Sequence, residues 1–130
     1  MESNLIPKGT ITTPKGFLAG AGCAGLKTRG GLDMGIIFSE VPAAAAGVFT
    51  SNRIKAAPLV LSREHLRGGR AQAIVVNSGC ANACTGEGGL EDAAEMARLV
   101  AKKLGAQSED VLVASTGVIG LRLPMEKVRS

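Results

Sequence analysis

The sequence predicts an α/β fold, with helices and strands in layers and a βαβ unit at residues 72–114. Residues 72–77, QAIVVN, have the continuous apolar character of a buried strand. Residues 90–104 repeat apolar side chains at the 3.6-residue spacing of one helix face, and residues 110–114, DVLVA, read as another apolar strand. Two strands joined through a helix are usually parallel neighbours, so part of the sheet is expected to be parallel.

Length and composition indicate one globular domain. The chain has 130 residues, and its 45% hydrophobic and 20% charged residues exclude wholesale disorder. Aromatic residues are limited to three phenylalanines, whereas glycine occurs 18 times. The core must therefore be built from Val, Ile, Leu and Ala, which makes a thin domain. We expect part of its burial to come from a partner or from further sequence.

No segment predicts a membrane span or a secretory signal. No apolar run approaches the ~18 residues that a transmembrane helix needs. The start of the chain, MESNLIPKGT, has neither a basic segment nor an apolar core. We therefore expect a cytoplasmic protein that does not associate with membranes.

The first half of the domain is rich in glycine and alanine. Residues 17–31, FLAGAGCAGLKTRGG, predict irregular structure or a short strand. Residues 62–67, SREHLR, predict a short helix with Ser62 as its N-cap. Pro42 and the alanines after it are expected to interrupt the chain between the first two of three predicted strands. These strands are at 34–38, 47–50 and 58–61.

The second half has clearer helix signals. The helix at 90–104 has acidic residues in its first turns and lysines in its last turn, and Gly105 is the expected C′ residue. Residues 115–120, STGVIG, predict a loop after the second strand of the βαβ unit. Pro124 opens a segment that reads as the first turn of a further helix.

The chain ends at Ser130, only one turn into this last helix. A single helical turn is not stable by itself. We therefore divide the sequence into an extended leader at residues 1–16 and an incomplete α/β domain at residues 17–130. This domain is expected to continue beyond Ser130 in a longer or cleaved protein.

Charge and cysteine patterns argue against nucleic-acid and metal binding. The net charge is +4, but the basic residues are scattered and no aromatic surface is available for stacking bases. Cys80 and Cys84 are separated by three residues rather than the two of a zinc knuckle, and His65 is the only histidine. We expect no metal site, and we expect Cys23, Cys80 and Cys84 to be buried free thiols.

A glycine motif near the start has the G-x-G-x-x-G pattern of dinucleotide-binding turns. It covers residues 20–25, GAGCAG. The dinucleotide fingerprint requires a strand before the motif and a helix after it. Little room for a strand precedes it, and Gly30 and Gly31 follow where a helix would continue. The context favours a glycine-rich segment that packs closely against a neighbour.

Two polar segments follow the strands of the βαβ unit, where α/β proteins place their sites. After the first strand, Asn77, Asn82 and Thr85 could serve a site or could turn the chain and cap the helix, and the sequence leaves both roles open. After the second strand, the Thr116 hydroxyl and the Gly117 amide form a donor pair of the kind that an oxyanion hole requires. Thr116 is a weaker candidate for a nucleophile because no base lies near it in the sequence.

Three long phrases resemble one known family. VPAAAAGVFTSNRIKAAPLVLSREHL, AIVVNSGCANACTGEGGLEDA and VLVASTGVIGLRLPMEKV are similar to the N-terminal part of the bifunctional ornithine acetyltransferases, or glutamate N-acetyltransferases, of arginine biosynthesis. The similarity extends from about Gly16 to Arg129. The usual family phrase is NSGNANACTG, and Cys80 replaces its second asparagine here.

The resemblance implies a fold, a reaction and a site. The fold would be the ornithine acetyltransferase-like N-terminal domain of an α chain. Family precursors cut themselves into α and β chains, and the N-terminal threonine of β carries acetyl from N-acetylornithine to glutamate in a ping-pong reaction. By this resemblance Thr116 and Gly117 are the oxyanion donors, whereas the nucleophile and most substrate-binding residues lie beyond residue 130.

The resemblance also implies partners. The first is the β chain of the same precursor, in an α2β2 heterotetramer, with N-acetylornithine and glutamate as small-molecule substrates. No cofactor is expected, although some members accept acetyl-CoA as a substrate. Two hypotheses then remain for these 130 residues. They are either part of an acetyltransferase that is inactive alone, or a stand-alone α/β binding or interaction module without catalytic activity.

Overall fold

A computed structural model describes residues 6–130 and contains one four-stranded sheet. The strands lie in chain order: β1 (Phe17–Gly22), β2 (Met34–Ala44), β3 (Arg70–Cys80) and β4 (Val111–Val118). The pairs β1–β2 and β2–β3 are antiparallel, whereas β3 and β4 are parallel. The α/β fold and the predicted βαβ unit are therefore confirmed.

Three α-helices accompany the sheet: α1 (Ala57–His65), α2 (Gly86–Leu104) and α3 (Met125–Arg129). Two short 3-10 turns, Leu66–Gly68 and Ser108–Asp110, follow α1 and precede β4. Helices α1 and α2 contact each other, and both contact β4. Residues 6–16 contain turns and are almost wholly exposed, and the first five residues of the predicted leader lie outside the described residues.

The core lies between the sheet and these two helices. Along β3, every second side chain from Ala71 to Asn77 is buried, as expected of a strand with one face against a helix. Helix α2 supplies Met96, which is 1% exposed, among small residues that let the helix approach the sheet closely. Alanine and valine dominate the core as expected, but Met96 and Met125 are also buried, which a core of Val, Ile, Leu and Ala alone did not include. On the opposite face, Phe17, Ile37, Ile74 and Leu112 border a hollow of about 270 Å³.

Helix α1 corrects two predictions. The segment 58–61 is helical rather than extended, because Pro58 sits at the helix start, where its missing N–H costs nothing, and α1 packs on β4. A short apolar run alone does not distinguish a buried strand from a buried helix. Ser62 is an interior helix residue rather than an N-cap. Its hydroxyl donates to the Val113 carbonyl at 2.8 Å and accepts from the Val113 amide at 2.9 Å.

The segment 47–50 is not a strand, which overturns another prediction. No strand pairs with it within residues 6–130, and Val48 is fully exposed, so its apolar residues gain little by extending. Strand β2 instead runs through Pro42 to Ala44. The register between β2 and β3 shifts between Phe38 and Ala43, and proline is tolerated at such irregular positions.

The βαβ unit is larger than the sequence indicated. Strand β3 continues to Cys80 and β4 to Val118, so both predicted glycine-rich loops begin as strand. Helix α2 starts four residues before the predicted start, because its first turn contains glycines that carry no apolar signal. Gly105 adopts the left-handed conformation with φ 69°, and its N–H bonds to the Ala101 carbonyl, which confirms the predicted helix end.

The final segment is helical as predicted. Pro124 precedes α3, which spans Met125–Arg129, and Met125 is buried. Arg129 makes two bonds to Glu95 of α2, at 2.5 and 2.8 Å. Across residues 6–130, none of the helices combines the length and the apolar character that crossing a lipid bilayer requires.

Candidate functional site

The predicted donor pair lies on the edge strand β4. Thr116 is in register with Ser78, and Gly117 is in register with Gly79 of the parallel neighbour β3. Both Thr116 and Gly117 are exposed. They therefore belong to the last residues of a strand rather than to the loop predicted from the sequence. A strand backbone is better fixed than a loop, which favours a site that must hold donors in place.

Gly117 occupies a position that only glycine can fill. Its φ is +133°, outside the range that residues with a side chain usually adopt. A Cβ at this position would lie 2.6 Å from the Cys80 nitrogen. Gly79 has the same character, with φ +111° and a hypothetical Cβ 2.9 Å from the Leu26 carbonyl oxygen. The two strands and the turn at Leu26 therefore touch through bare backbone.

A cleft of about 450 Å³ opens beside these two glycines. The turn at residues 26–29 forms one wall, and Gly79, Gly117 and Val118 form the other. Lys27 and Arg29 are cationic, and none of the lining residues is acidic. The Lys27 ammonium donates to the Leu32 carbonyl at 2.8 Å, so it also braces the turn. An anionic group entering this cleft would meet positive charge beside Gly117.

A buried carboxylate organises the turn that forms this wall. Asp33 is 3% exposed and accepts hydrogen bonds from the backbone N–H groups of Ala24, Leu26 and Lys27. These bonds, above all the bond from Ala24, lower the pKa of Asp33 below its ordinary value, although burial acts in the opposite direction. The side chain therefore stays ionised at neutral pH.

Sequence reasoning missed Asp33. The available signal was an aspartate directly after the turn TRGGL and directly before the strand MGIIF. Aspartate commonly accepts bonds from nearby backbone N–H groups at such turns.

Asn82 and Thr85 hold the turn before α2. Asn82 is fully buried, its amide donates to the Gly89 carbonyl at 2.8 Å, and its oxygen accepts from the Thr85 hydroxyl at 2.7 Å. Thr85 occupies the N-cap position, but its side chain makes no bond to a helix N–H. Asn82 and Cys84 have positive φ, as tight turns often require. The geometry gives both side chains a turn-forming role.

Asn77 lies closer to the donor pair. It is fully buried, and its amide donates to the Cys80 carbonyl at 2.9 Å. Its oxygen and the hydroxyl of Ser115, its register partner on β4, have no protein hydrogen-bond partner within residues 6–130. Sequence reasoning did not single out Ser115. Two polar atoms without a protein partner therefore lie side by side on β3 and β4, one register position before Thr116.

The cysteines differ from the prediction in part. All three are free, but only Cys80 is buried, whereas Cys23 and Cys84 are exposed. Cys23 follows an edge strand and Cys84 lies in a surface turn, so neither side chain is covered by a helix or strand. No cluster of three or more metal-ligating side chains occurs in the described part of the chain.

The glycine motif at 20–25 does not have the dinucleotide-binding context. Strand β1 ends at Gly22 inside the motif, and the next element is strand β2 rather than a helix. The expectation of close packing is wrong for the three motif glycines. A Cβ added at Gly20, Gly22 or Gly25 would meet nothing within 4 Å.

Comparison with known proteins supports the resemblance seen in the sequence. A profile of the ArgJ family matches residues 18–130. The arginine biosynthesis bifunctional protein ArgJ of Dehalococcoides mccartyi is 52% identical over 128 residues, which are 97% of this chain and 32% of that protein. The protein of the same name from Shouchella clausii is 60% identical over 126 residues, 95% of this chain and 30% of that protein.

Two solved structures have the same fold. The crystal structure of the arginine biosynthesis bifunctional protein ArgJ from Bacillus halodurans superposes with a TM-score of 0.91 at 44% identity, covering 95% of this chain and 65% of that chain. Ornithine acetyltransferase from Mycobacterium tuberculosis, solved with ornithine, superposes with a TM-score of 0.89 at 46% identity, covering 92% of this chain and 65% of that chain. The chain spans about a third of the length of the curated relatives it matches. With the family profile covering most of its residues, the chain belongs to the ArgJ family.

Proposed function

We propose that this chain supplies the oxyanion hole of an acetyltransferase that moves acetyl from N2-acetyl-L-ornithine to L-glutamate. The observation that carries the proposal is the donor pair Thr116–Gly117, presented on an exposed strand end beside a cationic cleft. Membership of the ArgJ family supports the reaction class. A relative solved with ornithine supports the substrate class.

The Thr116 hydroxyl is available for this role. It is exposed and makes no side-chain hydrogen bond within residues 6–130, so it can donate to a substrate without breaking an existing bond. Because Gly117 has no side chain, a carbonyl oxygen can approach the backbone there. Donors fixed before the reaction stabilise a developing negative charge without reorganising, which is the largest contribution in many acyl transfers.

The proposed reaction has two steps through an acyl-enzyme. The N-terminal threonine of a self-cleaved β chain attacks the acetyl carbonyl, with its own α-amine taking the hydroxyl proton. The tetrahedral oxyanion is held by Thr116 and Gly117, and it collapses as the C–N bond breaks and the ornithine amine leaves with that proton. The glutamate amine then attacks the threonine ester through a second oxyanion. The ester C–O bond breaks, and the proton from the attacking amine passes through the α-amine to the threonine oxygen, which gives N-acetylglutamate and the free threonine hydroxyl.

This proposal defines partners and limits. The nucleophile belongs to the β chain, so we propose that residues 1–130 alone are inactive and that the working unit is an α2β2 heterotetramer. Acetyl-CoA is a further acetyl donor to test. The cytoplasmic location, the absence of a cofactor and the absence of nucleic-acid binding stay predictions.

The decisive experiment uses the full-length gene product. We expect transfer of acetyl from N-acetylornithine to glutamate, cleavage into two chains on a gel, and an added acetyl mass on the β-chain threonine when glutamate is omitted. The same assay on residues 1–130 alone should show no turnover. Turnover by residues 1–130 alone would contradict the assigned chemistry. A full-length product that neither cleaves nor transfers acetyl would instead favour a binding or interaction module.

A further inference from the structure

We propose that Asp33 is a positioning residue for the oxyanion hole, which holds the turn at residues 24–27 against Gly79 and thereby sets the position of Gly117. The inference rests on the proposed function, because it assigns to Asp33 a role in that same site. Asp33 itself lies behind the cleft and is not among the residues that line it.

Asp33 connects three segments of the chain. Its carboxylate accepts from Ala24 and Leu26 at 2.6 Å each and from Lys27 at 3.1 Å. Its backbone N–H donates to the Gly22 carbonyl at 3.0 Å, at the end of β1. Its carbonyl accepts from the Ser78 N–H at 2.8 Å, next to Gly79 on β3. The residue therefore ties the turn to the strand that adjoins the donor pair.

The turn, β3 and β4 then touch in sequence without intervening side chains. The Leu26 carbonyl packs against Gly79 so closely that a Cβ there would lie 2.9 Å from its oxygen. Gly79 in turn packs against Gly117, whose hypothetical Cβ would lie 2.6 Å from the Gly79 oxygen. Close-packed backbone has no side chain that can change rotamer and absorb a shift. A displacement of the turn is therefore passed on to Gly117.

The three backbone N–H groups of the turn require a carboxylate as their acceptor. Both oxygens of Asp33 accept, and three N–H groups converge on them. An asparagine of the same shape would present an N–H to at least one of these N–H groups, which would lose its bond and face another donor. Asp33→Asn is thus a small change in volume that loosens the turn specifically.

Kinetics of the full-length enzyme provide the first test. The kcat of Asp33→Asn is divided by the concentration of active sites, measured from the burst of acyl-enzyme, so that a loss of folded protein does not count. We expect kcat per site to fall about 10- to 100-fold with KM changed little, since small misplacements in a site cost about that much. Asp110→Asn is the matched control, because Asp110 is also buried but lies directly before the start of β4, at the end opposite the site, where it meets Arg70.

A double-mutant cycle with Thr116→Ala distinguishes positioning from general damage. If Asp33 acts through the donor pair, the double variant should lose much less than the product of the two single losses. Hydrogen exchange gives a readout independent of activity. The amides of residues 24–27 should exchange faster in Asp33→Asn, while those of the central part of β3 stay protected.

Several results would overturn the inference. One is a normal kcat per site in Asp33→Asn although the amides of residues 24–27 exchange faster. Another is unchanged hydrogen exchange of those amides. A third is a loss of kcat in the double variant that equals the product of the two single losses. If Asp33→Asn does not fold, Asp33→Glu keeps the charge but displaces the oxygens by one methylene, and a normal rate per site in that variant would equally refute the inference. A wild-type protein without acetyl transfer would defeat the proposed function and this role together, whereas an active wild type with normal variants would defeat this role alone.

Discussion

The centre and the carboxyl end of the parallel pair β3–β4 are held together by different means. At the centre, Val75, Val111 and Val113 are buried beneath Met96 and the alanines of α2. At the carboxyl end, Gly79 and Gly117 meet through backbone, and behind them the Asp33 carboxylate accepts hydrogen bonds from the backbone of the turn. The centre is stabilised by apolar burial, which tolerates adjustment of side chains. The carboxyl end depends on polar geometry, and Thr116 and Gly117 are exposed to solvent there.

The two parts of the strand pair therefore have different roles. Burial at the centre supplies free energy of folding, whereas close backbone packing at the end holds groups in place. A substitution at the centre should therefore lower stability and spare the rate per active site. A substitution at the carboxyl end should do the reverse, or do both where it strains the backbone. The following predictions apply to the full-length gene product and test this contrast.

The largest effect is expected for Thr116→Ala. Loss of one oxyanion donor should lower kcat by about 10²–10³-fold, or roughly 2.7–4 kcal/mol, with a smaller change in KM. The unfolding midpoint should hardly move, because the Thr116 side chain is exposed. Steady-state kinetics and thermal melts measure the two quantities. Processing into two chains must be verified by gel, and Thr50→Ala, at another exposed threonine, serves as the control. A near-normal kcat in processed enzyme would show that Thr116 is not an oxyanion donor.

Met96→Ala should show the opposite behaviour. Its side chain is 1% exposed in the centre of the core, so truncation should lower the free energy of unfolding by about 3 kcal/mol. The rate per active site should stay within about twofold, because none of the residues that line the cleft belongs to α2. Urea denaturation and a burst-normalised assay measure the two quantities. Lys102→Ala, at an exposed position on the same helix, is the control. A large loss of rate per site would contradict the contrast between the centre and the carboxyl end.

Gly117→Ala should affect both quantities. Its φ of +133° and the backbone of β3 leave no room for a methyl group, so a loss of about 1–3 kcal/mol in stability is expected. The rate per site should also fall, since the strand must shift where the donor lies. Gly20→Ala is a matched control on β1, where a Cβ meets nothing within 4 Å. Equal stability of the two variants would contradict the close packing of Gly117.

The smallest effect is expected at the Glu95–Arg129 pair, which joins α2 to α3. The hydrogen bonds from Arg129 hold the pKa of Glu95 below its ordinary value of 4.5. A lowered pKa stabilises the fold above the ordinary value, and this contribution is lost as the pH falls through the lowered one. The unfolding midpoint of wild type should therefore exceed that of Glu95→Gln at pH 7 and converge with it in acid. Glu91→Gln, exposed on the same helix, is the control for the loss of one carboxylate.

Some elements could be read from the sequence because their signals are local. The helix containing Met96 repeats its apolar residues every 3.6 positions and ends at Gly105, and both features survive in the structure. The strands around Val75 and Val113 are continuous apolar runs of the right length. Thr116 and Gly117 are predicted as a donor pair from their chemistry and from the family phrase that contains them, and that role stays a prediction.

Other elements were misread because their state depends on partners elsewhere in the chain. The segment 58–61 is a helix because it packs on β4. Ser62 can be buried because its hydroxyl donates to the Val113 carbonyl and accepts from the Val113 amide. The segment 47–50 has strand-like residues but no neighbour to pair with among residues 6–130. Hydrophobic pattern alone does not record these contacts.

The sequence by itself determined the α/β class and the βαβ unit, and it predicted Thr116 and Gly117 as a donor pair, because periodicity, helix-end signals and a long family phrase are all contiguous along the chain. Only the tertiary structure decided that these donors belong to a strand, that Gly79 and Gly117 share bare backbone, and that Asp33 secures the turn beside them. Asp33 and Gly117 are far apart in sequence, and their connection exists only through hydrogen bonds and packing that form when β3 lies between the turn and β4.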